Sequence, residues 1–325
     1  MNFLSKYKDN HNAYQLKRKT SSTIVTIIKF LFLAGMCYLF LFPILFLLVT
    51  TLQDPASAND PSIVWIPTDI TMTNLNSALA ELDYSNSAVL SVVISIGGTL
   101  AVLFSCAMVG YALARYNFWE KNIAFALVIV LIIIPPQTTT ISTFLNFRFF
   151  DLGGLLKLFE PIIGVDHIQL TDSPIAMILP ALLASGIRAG LSIFIFRQFF
   201  LGQPKELEEA AKIDGCGALS TYFRIMLPLS TPAIITVSVF SFVWYWNDSF
   251  FTSLFFTDTS TPLAAKLAIL RNTYLEGIGG AIFNGYEQKG TLAAAALLCV
   301  VPPLILYLII QRYFTESIER TGIVG

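Results

Sequence analysis

The chain has 325 residues, of which 55% are hydrophobic and only 13% are charged, and its mean hydropathy is +0.69. Because a soluble domain carries about a quarter charged residues, most of this chain is predicted to lie in lipid. The net charge of −1 lacks the basic excess that is typical of nucleic-acid binding. The two histidines and four scattered cysteines show no metal-ligand spacing, which excludes a histidine-rich metal site and argues against a Ser-His-Asp hydrolase.

Six apolar stretches are each long enough to cross a bilayer as a helix, which requires about 20 mostly apolar residues. We therefore predict an all-α integral membrane protein with six transmembrane helices in one transmembrane domain over residues 30–325, preceded by a polar arm over residues 1–29. The first stretch lacks the small-residue cleavage site of a signal peptide and is expected to remain in the protein. The predicted spans are 30–53, 88–114, 122–143, 174–197, 231–254 and 290–311.

The distribution of basic residues predicts the orientation of these spans. If both termini are cytoplasmic, 14 of the Lys and Arg residues fall in inner segments and five fall in outer segments. Cytoplasmic connections carry the excess of Lys and Arg in membrane proteins, and so both termini are predicted to lie in the cytoplasm.

Proline pairs interrupt two of the predicted spans. Pro135 and Pro136 in the third span are expected to kink the helix, because neither can donate a backbone hydrogen bond. A broken helix at membrane depth lines a cavity or is buried in protein, and both interpretations stay open here. Pro43 in the first span and Pro302–Pro303 in the sixth raise the same two alternatives.

The inner connection over residues 200–229 predicts two short helices joined at a glycine. Pro204 suits the first position of a helix, and the glutamates that follow it favour a helix N-terminus. Gly215 can supply the left-handed residue that ends this first helix after about three turns. A second helix is predicted from Leu219 to Met226, with Pro228 stopping it.

One face of the first short helix is predicted to carry small side chains. Leu207, Ala210, Ala211 and Asp214 follow the spacing of residues that share a helix face. Two adjacent alanines would leave a shallow surface that another protein can approach closely. A helix that lies on its own bundle would show the same spacing.

This connection resembles the signature loop of binding-protein-dependent ABC importer permeases. That loop has Glu-Ala-Ala, a glycine four residues later, and then nine residues before Ile-x-Leu-Pro. The Trp-Asn-Asp element of the fifth span also resembles the carbohydrate-uptake permeases, and the chain is most similar to the second permease of maltose-type transporters. The residues that fit the loop pattern are Glu209, Ala210, Ala211, Gly215, Ile225, Leu227 and Pro228.

The resemblance implies that the loop is a coupling helix seated in a groove of a separate ATPase. Glu209 would make a charged contact to the ATPase, and Gly215 would set the corner between the two short helices. The implied partners are a second permease subunit, an ABC ATPase dimer, an extracytoplasmic solute-binding protein, a sugar and membrane lipid. The implied coupling residues are Glu209, Ala210, Ala211, Asp214, Gly215, Ile225, Leu227 and Pro228.

The chain contains no phosphate-binding G-x-x-x-x-G-K-[ST] motif. We therefore expect no catalytic residue and no cofactor in this chain, with ATP and Mg bound by the partner ATPase. The expected location is the cytoplasmic (inner) membrane of a bacterium or archaeon, as a multi-pass protein.

Five residues are candidates for a substrate pathway through the membrane. An ionisable group at membrane depth is costly and typically faces a cavity or a partner, which makes an arginine in the fourth span notable. Aromatic rings beside polar groups suit sugars, although Trp also anchors helices at membrane interfaces. A structural pairing of the arginine with a carboxylate or with helix-end carbonyls is an alternative. The candidates are Arg188, Trp244, Trp246, Asn247 and Asp248.

The predicted function is therefore half of the translocation pathway of an ATP-driven importer for a sugar or oligosaccharide delivered by a binding protein. One alternative is an ABC permease for another solute, such as a polyol phosphate or a modified sugar. Another is a secondary transporter that works alone, which would call for inverted repeats and intramembrane carboxylates. No repeat is found, and Asp248 is the single acidic residue inside a predicted span.

Overall fold

The computed structural model describes residues 3–55, 69–151, 154, 156–157, 164, 166–257, 261–276 and 287–321. Over these residues the fold is helical, with two isolated antiparallel bridges that join Gln53 to Ile70 and Phe150 to Ile168. The helices are α1 Phe3–Leu52, α2 Thr73–Glu81, α3 Tyr84–Arg115, α4 Lys121–Ile133, α5 Thr140–Arg148, α6 Ile175–Leu182, α7 Ala189–Gly202, α8 Glu206–Ile213, α9 Ala218–Leu229, α10 Thr231–Asn247, α11 Phe250–Phe255, α12 Leu263–Glu276 and α13 Glu287–Thr321.

Three helices are long and apolar enough to cross a membrane by themselves. They are Thr23–Leu52 within α1, Tyr84–Arg115 (α3) and Lys289–Gln311 within α13, with 30, 32 and 23 residues. At about 1.5 Å per residue each exceeds the bilayer core of about 30 Å. They coincide with the predicted first, second and sixth spans.

Of the other predicted spans, the third is a bent helix pair, and the fifth, 231–254, consists of two helices, α10 and α11, that are separated at Asp248 and Ser249. α4 and α5 meet at an angle of 95°, and α9 and α10 meet at 77°. The break predicted at Pro135 and Pro136 in the third span is therefore confirmed. α4 ends at Ile133 and a short 3₁₀ turn begins at Pro136, because the two prolines cannot continue the backbone ladder. If each bent pair counts as one span, the described residues hold up to five.

The predicted fourth span, 174–197, is not one helix. α6 ends at Leu182 and α7 begins at Ala189, and in between Ala184 and Arg188 both adopt a left-handed backbone with φ of 53°. We call residues 183–188 the α6–α7 break. Arg188 is consequently the residue that precedes α7 rather than one four turns inside a helix.

The prolines in the two terminal helices leave those helices continuous. α1 runs through Pro43, and it also crosses the predicted boundary at residue 29 without interruption. α13 runs through Pro302 and Pro303. A proline inside a long helix removes one backbone hydrogen bond, and the remaining bonds on either side keep the helix intact.

The buried core forms around α3. This helix packs against α6, α7 and α10. Half of its most apolar 18-residue stretch is buried in the bundle, whereas none of the corresponding stretch of α1 is buried. Close packing depends on a glycine: a Cβ on Gly110 would lie 2.7 Å from the Cβ of Phe196 in α7. α3 is thus the central helix of the described bundle, and α1 is a peripheral one.

α1 is attached to the bundle through α2 and α13. The buried side-chain amide of Asn74 in α2 donates to the carbonyls of Thr51 and Gln53 at the end of α1, at 3.2 and 2.8 Å. A Cβ on Gly290 of α13 would lie 2.4 Å from this amide. The end of α1, the start of α2 and the start of α13 therefore meet at Asn74.

Candidate coupling and pathway sites

The predicted glycine corner is present in the structure. α8 ends in a left-handed Gly215 with φ of 79°. The amide of Gly215 donates to the carbonyl of Lys212 at 3.1 Å, and that of Cys216 donates to the carbonyl of Ala211 at 2.9 Å. This is the paired hydrogen bonding of a Schellman motif, which a glycine accommodates without strain. α8 has eight residues, so it is about two turns long rather than the predicted three.

The second short helix extends further than predicted. α9 begins at Ala218, contains a π turn over Tyr222–Met226 and continues to Leu229. Pro228 lies in its last turn, and the chain bends only at Ser230. The prediction that Pro228 stops this helix is therefore wrong.

The residues of the signature loop divide into an exposed set and a set that packs on the core. Ala211 is 3% exposed, so the prediction that it shares an open face with Ala210 is wrong. Ile225 and Leu227 are half-buried against the core that includes α3 and α7. The exposed set comprises Glu209, Ala210, Asp214, Gly215 and Pro228.

Apolar side chains surround the exposed part of the loop. Ile213 is 87% exposed and Leu219 is 66% exposed, and Leu207 and Phe223 are also open to solvent. An apolar surface next to charged residues is typical of a protein–protein contact. We call Leu207, Ile213, Leu219 and Phe223 the loop rim. Leu219 and Phe223 were not predicted as site residues, although large apolar residues in a charged connection are a usable signal.

The loop is tied to the bundle by an arginine that the sequence analysis did not single out. Arg115, the last residue of α3, has its Nε 3.4 Å from Oε1 of Glu208 in α8. Its Nη2 donates to the carbonyl of Gln203 at 2.6 Å. These partners lie far apart in the sequence, so no local pattern could have paired them.

Two of the five pathway candidates come together at the α6–α7 break. The guanidinium carbon of Arg188 lies 5.0 Å from the centre of the Trp244 ring, which is a cation–π distance. The Trp244 ring also stacks on Phe240, with 5.6 Å between ring centres. Arg188 is exposed, so its guanidinium is open to a ligand or to a neighbouring subunit.

The remaining pathway candidates have structural partners of their own. The indole of Trp246 is buried and donates to the carbonyl of Cys299 at 2.9 Å. The Asp248 carboxylate accepts a hydrogen bond from the amide of Thr252 at 3.0 Å, in the first turn of α11. The exposed Asn247 side chain donates to the Val243 carbonyl of its own helix. The five candidates therefore do not form a single cluster.

A small open pocket lies beside this region. Its volume is about 240 Å³, and Trp246 and Asn247 of α10, Arg271 of α12 and Cys299 of α13 contribute to its wall. The pocket is separate from the Arg188–Trp244 contact, since neither of those residues lines it. The five candidates were predicted to share one pathway. In the structure Arg188 and Trp244 form one contact, Trp246 and Asn247 line the pocket, and Asp248 belongs to neither place.

Tyr245 organises the α6–α7 break, although it was not among the site predictions. Its ring is buried, and a Cβ on Gly98 of α3 would lie 2.8 Å from it. Its hydroxyl accepts a hydrogen bond from the amide of Ile187 at 3.3 Å. A Cβ on Gly186 would lie 2.5 Å from the same hydroxyl. Tyr245 therefore holds α3, α10 and the break together.

Comparison with known proteins defines the class of this helical membrane subunit. Residues 106–320 match the family model described as "Binding-protein-dependent transport system inner membrane component". The arabinooligosaccharides transport system permease protein AraQ of Halalkalibacterium halodurans is 31% identical over 318 residues, which cover 95% of this chain and 100% of that relative. The melibiose/raffinose/stachyose import permease protein MelC of Bacillus subtilis is 28% identical, covering 87% of this chain and 91% of MelC.

A solved structure has a similar fold. It is that of a bacterial ABC transporter involved in the import of the acidic polysaccharide alginate, with a TM-score of 0.68 and 20% identity, covering 90% of this chain and 98% of the matched chain. The chain belongs to the family of inner membrane components of binding-protein-dependent transport systems. It is a permease subunit of an ABC importer and an integral protein of the cell membrane.

Proposed function

We propose that this subunit forms half of the translocation pathway for an oligosaccharide that an extracytoplasmic binding protein delivers. The observation that carries the proposal is the near full-length similarity to AraQ, whose name states transport of arabinooligosaccharides. The name of MelC, which states import of melibiose, raffinose and stachyose, supports the same substrate class. The other half of the pathway is a second permease subunit, and the membrane is the cytoplasmic (inner) membrane of a bacterium or archaeon.

The proposed subunit has six spans, with both termini in the cytoplasm. Three long helices, the bent pair of α4 and α5, and α10 with α11 supply five spans, and α6 with α7 supplies the sixth. α6 and α7 together supply 22 helical residues, which is enough to cross the bilayer although each helix alone is too short. The excess of Lys and Arg in the inner segments supports this orientation.

The ATPase binds at the exposed corner between α8 and α9. Glu209 offers a charge there, and the loop rim offers apolar surface that would be buried on docking. Burying one apolar side chain contributes about 1.5–3 kcal/mol, whereas an exposed ion pair contributes about 0–1 kcal/mol. The rim therefore supplies most of the affinity, and Glu209 supplies register and specificity.

ATP hydrolysis takes place on that separate ATPase dimer, which also holds the Mg. Closure of the dimer displaces α8 and α9, and the attached helices rock as rigid bodies between two states. In one of these states the exposed guanidinium of Arg188 and the face of Trp244 meet the sugar. The guanidinium donates hydrogen bonds to hydroxyls, and the indole packs on the C–H faces of the sugar.

A phosphorylated polyol is the second candidate substrate. The sn-glycerol-3-phosphate transport system permease protein UgpE of Pectobacterium atrosepticum is 27% identical over 72% of this chain. An exposed arginine is suited to a phosphate group, which it can bind through two parallel hydrogen bonds. The same guanidinium can also donate hydrogen bonds to the uncharged hydroxyls of a sugar. Arg188 is therefore compatible with either substrate.

The first experiment is to tag the carboxyl terminus, purify the complex from native membranes in mild detergent, and identify the proteins that co-purify. We expect an ATPase and a second permease. The captured or co-encoded binding protein is then titrated by calorimetry with arabinooligosaccharides, raffinose and sn-glycerol 3-phosphate. A chain that purifies alone would overturn the importer assembly, and a binding protein that takes only sn-glycerol 3-phosphate would replace the oligosaccharide.

A second experiment tests the coupling surface. Glu209→Gln and Leu219→Ser in the loop are compared with Lys157→Gln, in a predicted outer connection. We expect both loop variants to insert in the membrane, Leu219→Ser to lose most of the co-purifying ATPase and Glu209→Gln to lose a smaller part of it, and the control to retain it. Equal ATPase recovery in all three variants would exclude the corner as the docking site.

A further inference from the structure

Arg115 joins the ends of three helices. It is the last residue of α3, and its guanidinium contacts the carbonyl of Gln203, which caps the end of α7. The same guanidinium is paired with Glu208, in the first turn of α8. One side chain therefore connects the central helix of the bundle to both sides of the α7–α8 connection.

The pair is largely removed from solvent. The side chains of Arg115 and Glu208 are 4% and 14% exposed, and the phenol of Tyr111, one turn earlier in α3, lies beside the same carboxylate. The contact between Arg115 Nε and Glu208 Oε1 is an ion pair without a hydrogen bond, and the guanidinium donates its hydrogen bond through Nη2 to the Gln203 carbonyl. Removing one partner of such a pair leaves the other charge buried and uncompensated.

The two adjacent glutamates of α8 point to different surroundings. Glu208 is turned towards the end of α3, whereas Glu209 is exposed on the docking side. α8 also packs against α9, but α9 is separated from α10 by a bend of 77°. The contact through Arg115 is thus a direct link from α8 to the buried centre of the bundle.

We infer that Arg115 is a positioning residue that transmits the displacement of α8 to α3, and that it acts separately from the surface that holds the ATPase. The inference rests on the proposed function, because it assumes that an ATPase moves α8. α3 packs against α6, α7 and α10, so motion passed to α3 reaches both helices that flank the α6–α7 break and the helix that carries Trp244. Glu208 moves with α8 and displaces Arg115 through their ion pair. The hydrogen bond from Arg115 to the Gln203 carbonyl makes the end of α7 move together with the end of α3.

The test separates attachment of the ATPase from its regulation. Glu208→Gln and Arg115→Gln are introduced into the tagged chain, and Glu206→Gln, an exposed glutamate of the same helix turn, is the matched control. Each complex is assayed for the amount of co-purifying ATPase. Each is also assayed for the stimulation of ATP hydrolysis by the binding protein loaded with arabinooligosaccharides, or with the panel sugar that stimulates the unmodified complex most.

We expect both pair variants to retain the ATPase. The stimulation of ATP hydrolysis by the loaded binding protein should fall at least about fivefold in each, which is the smallest factor typical of coupling between two sites. Glu206→Gln should keep both properties. In the double variant R115Q/E208Q the loss should equal that of R115Q, because both substitutions break one contact. If the two residues acted independently, the fold-loss of stimulation in the double variant would be the product of the losses in the two single variants.

Three results would overturn the inference. One is full stimulation in E208Q, and another is a multiplicative loss in the double variant. The third is loss of the ATPase itself from E208Q and R115Q, which would make the pair part of the docking surface. An unmodified complex that contains no ATPase would instead overturn the proposed function, so the two failures are distinguishable.

Discussion

The two interrupted spans in the middle of the chain differ in what interrupts them. Between α4 and α5 the chain turns through 95° at Pro135 and Pro136, which end the helix through their own missing N–H groups. Between α6 and α7 the break itself, residues 183–188, contains no proline, although Pro180 lies in the last turn of α6. Its shape is set by Tyr245, which belongs to α10 and packs against Gly98 of α3.

The α4–α5 break is caused by local sequence, whereas the α6–α7 break depends on tertiary contacts. Each left-handed non-glycine residue costs about 1–2 kcal/mol, and the α6–α7 break contains two of them, Ala184 and Arg188. Contacts from elsewhere must offset that cost, since the local sequence does not. A tertiary break should therefore respond to substitutions on distant helices or at its close contacts, and a proline break should not.

The largest effect is expected from Gly186→Val. A Cβ at this position would lie 2.5 Å from the Tyr245 hydroxyl and 2.8 Å from the Cα of Ala181, so the break cannot close around it. We expect a loss of about 3 kcal/mol in the free energy of unfolding. Thermal unfolding in detergent is followed by labelling of the buried thiols Cys106 and Cys299, after the more accessible Cys37 and Cys216 have been blocked.

Gly202→Val is the control for this substitution, because no atom lies within 4 Å of a Cβ built there. It should unfold at a temperature close to that of the unmodified protein. If both valine variants unfold together, the close packing at Gly186 does not hold the break.

A smaller effect is expected from Tyr245→Phe. The ring remains against Gly98, but the amide of Ile187 loses its acceptor. The expected cost is about 1 kcal/mol, as for one hydrogen bond in a buried setting. The same thiol assay measures it, with the exposed Tyr307→Phe as control. If both variants unfold at the same temperature, the Tyr245 hydroxyl does not stabilise the α6–α7 break.

The double substitution P135A/P136A tests the other break. We expect the free energy of unfolding to change by about 0.5 kcal/mol or less, because Pro135 is exposed and surface substitutions away from special contacts are tolerated. The angle between α4 and α5 should open, since the backbone ladder can then continue. Spin labels at the exposed Asn122 and Asn146 should move apart. An unchanged distance would mean that other contacts hold the 95° turn.

Arg188→Gly should have the smallest effect on stability. Glycine removes the left-handed cost, and this gain is offset by the lost cation–π contact of about 0.5–1 kcal/mol. Uptake of the sugar should nevertheless fall, because the guanidinium would no longer reach its hydroxyls. Transport into vesicles and the thiol assay are measured together. A large loss of stability with normal uptake would mean that Arg188 stabilises the fold and does not contact the sugar.

The sequence was sufficient for features that depend on neighbouring residues. The apolar lengths of α1, α3 and α13, the turn at Pro135–Pro136 and the glycine end of α8 all follow from local composition and backbone chemistry. The α6–α7 break could not be predicted, because its cause lies in α3 and α10. Pairing of Arg115 with Glu208 and the separate partners of Trp246 and Asp248 were missed for the same reason.

The attachment of α1 to α13 has a consequence for how the protein is made. α1 packs against α13, which is synthesised much later, and Asn74 meets Gly290 only after this part of α13 has left the ribosome. Contacts between the two ends of a chain form late and favour slow, intermediate-rich folding. Until then α1 lies in the bilayer with α2 but without α13, so the newly inserted chain remains open on the side of α1 that α13 will cover.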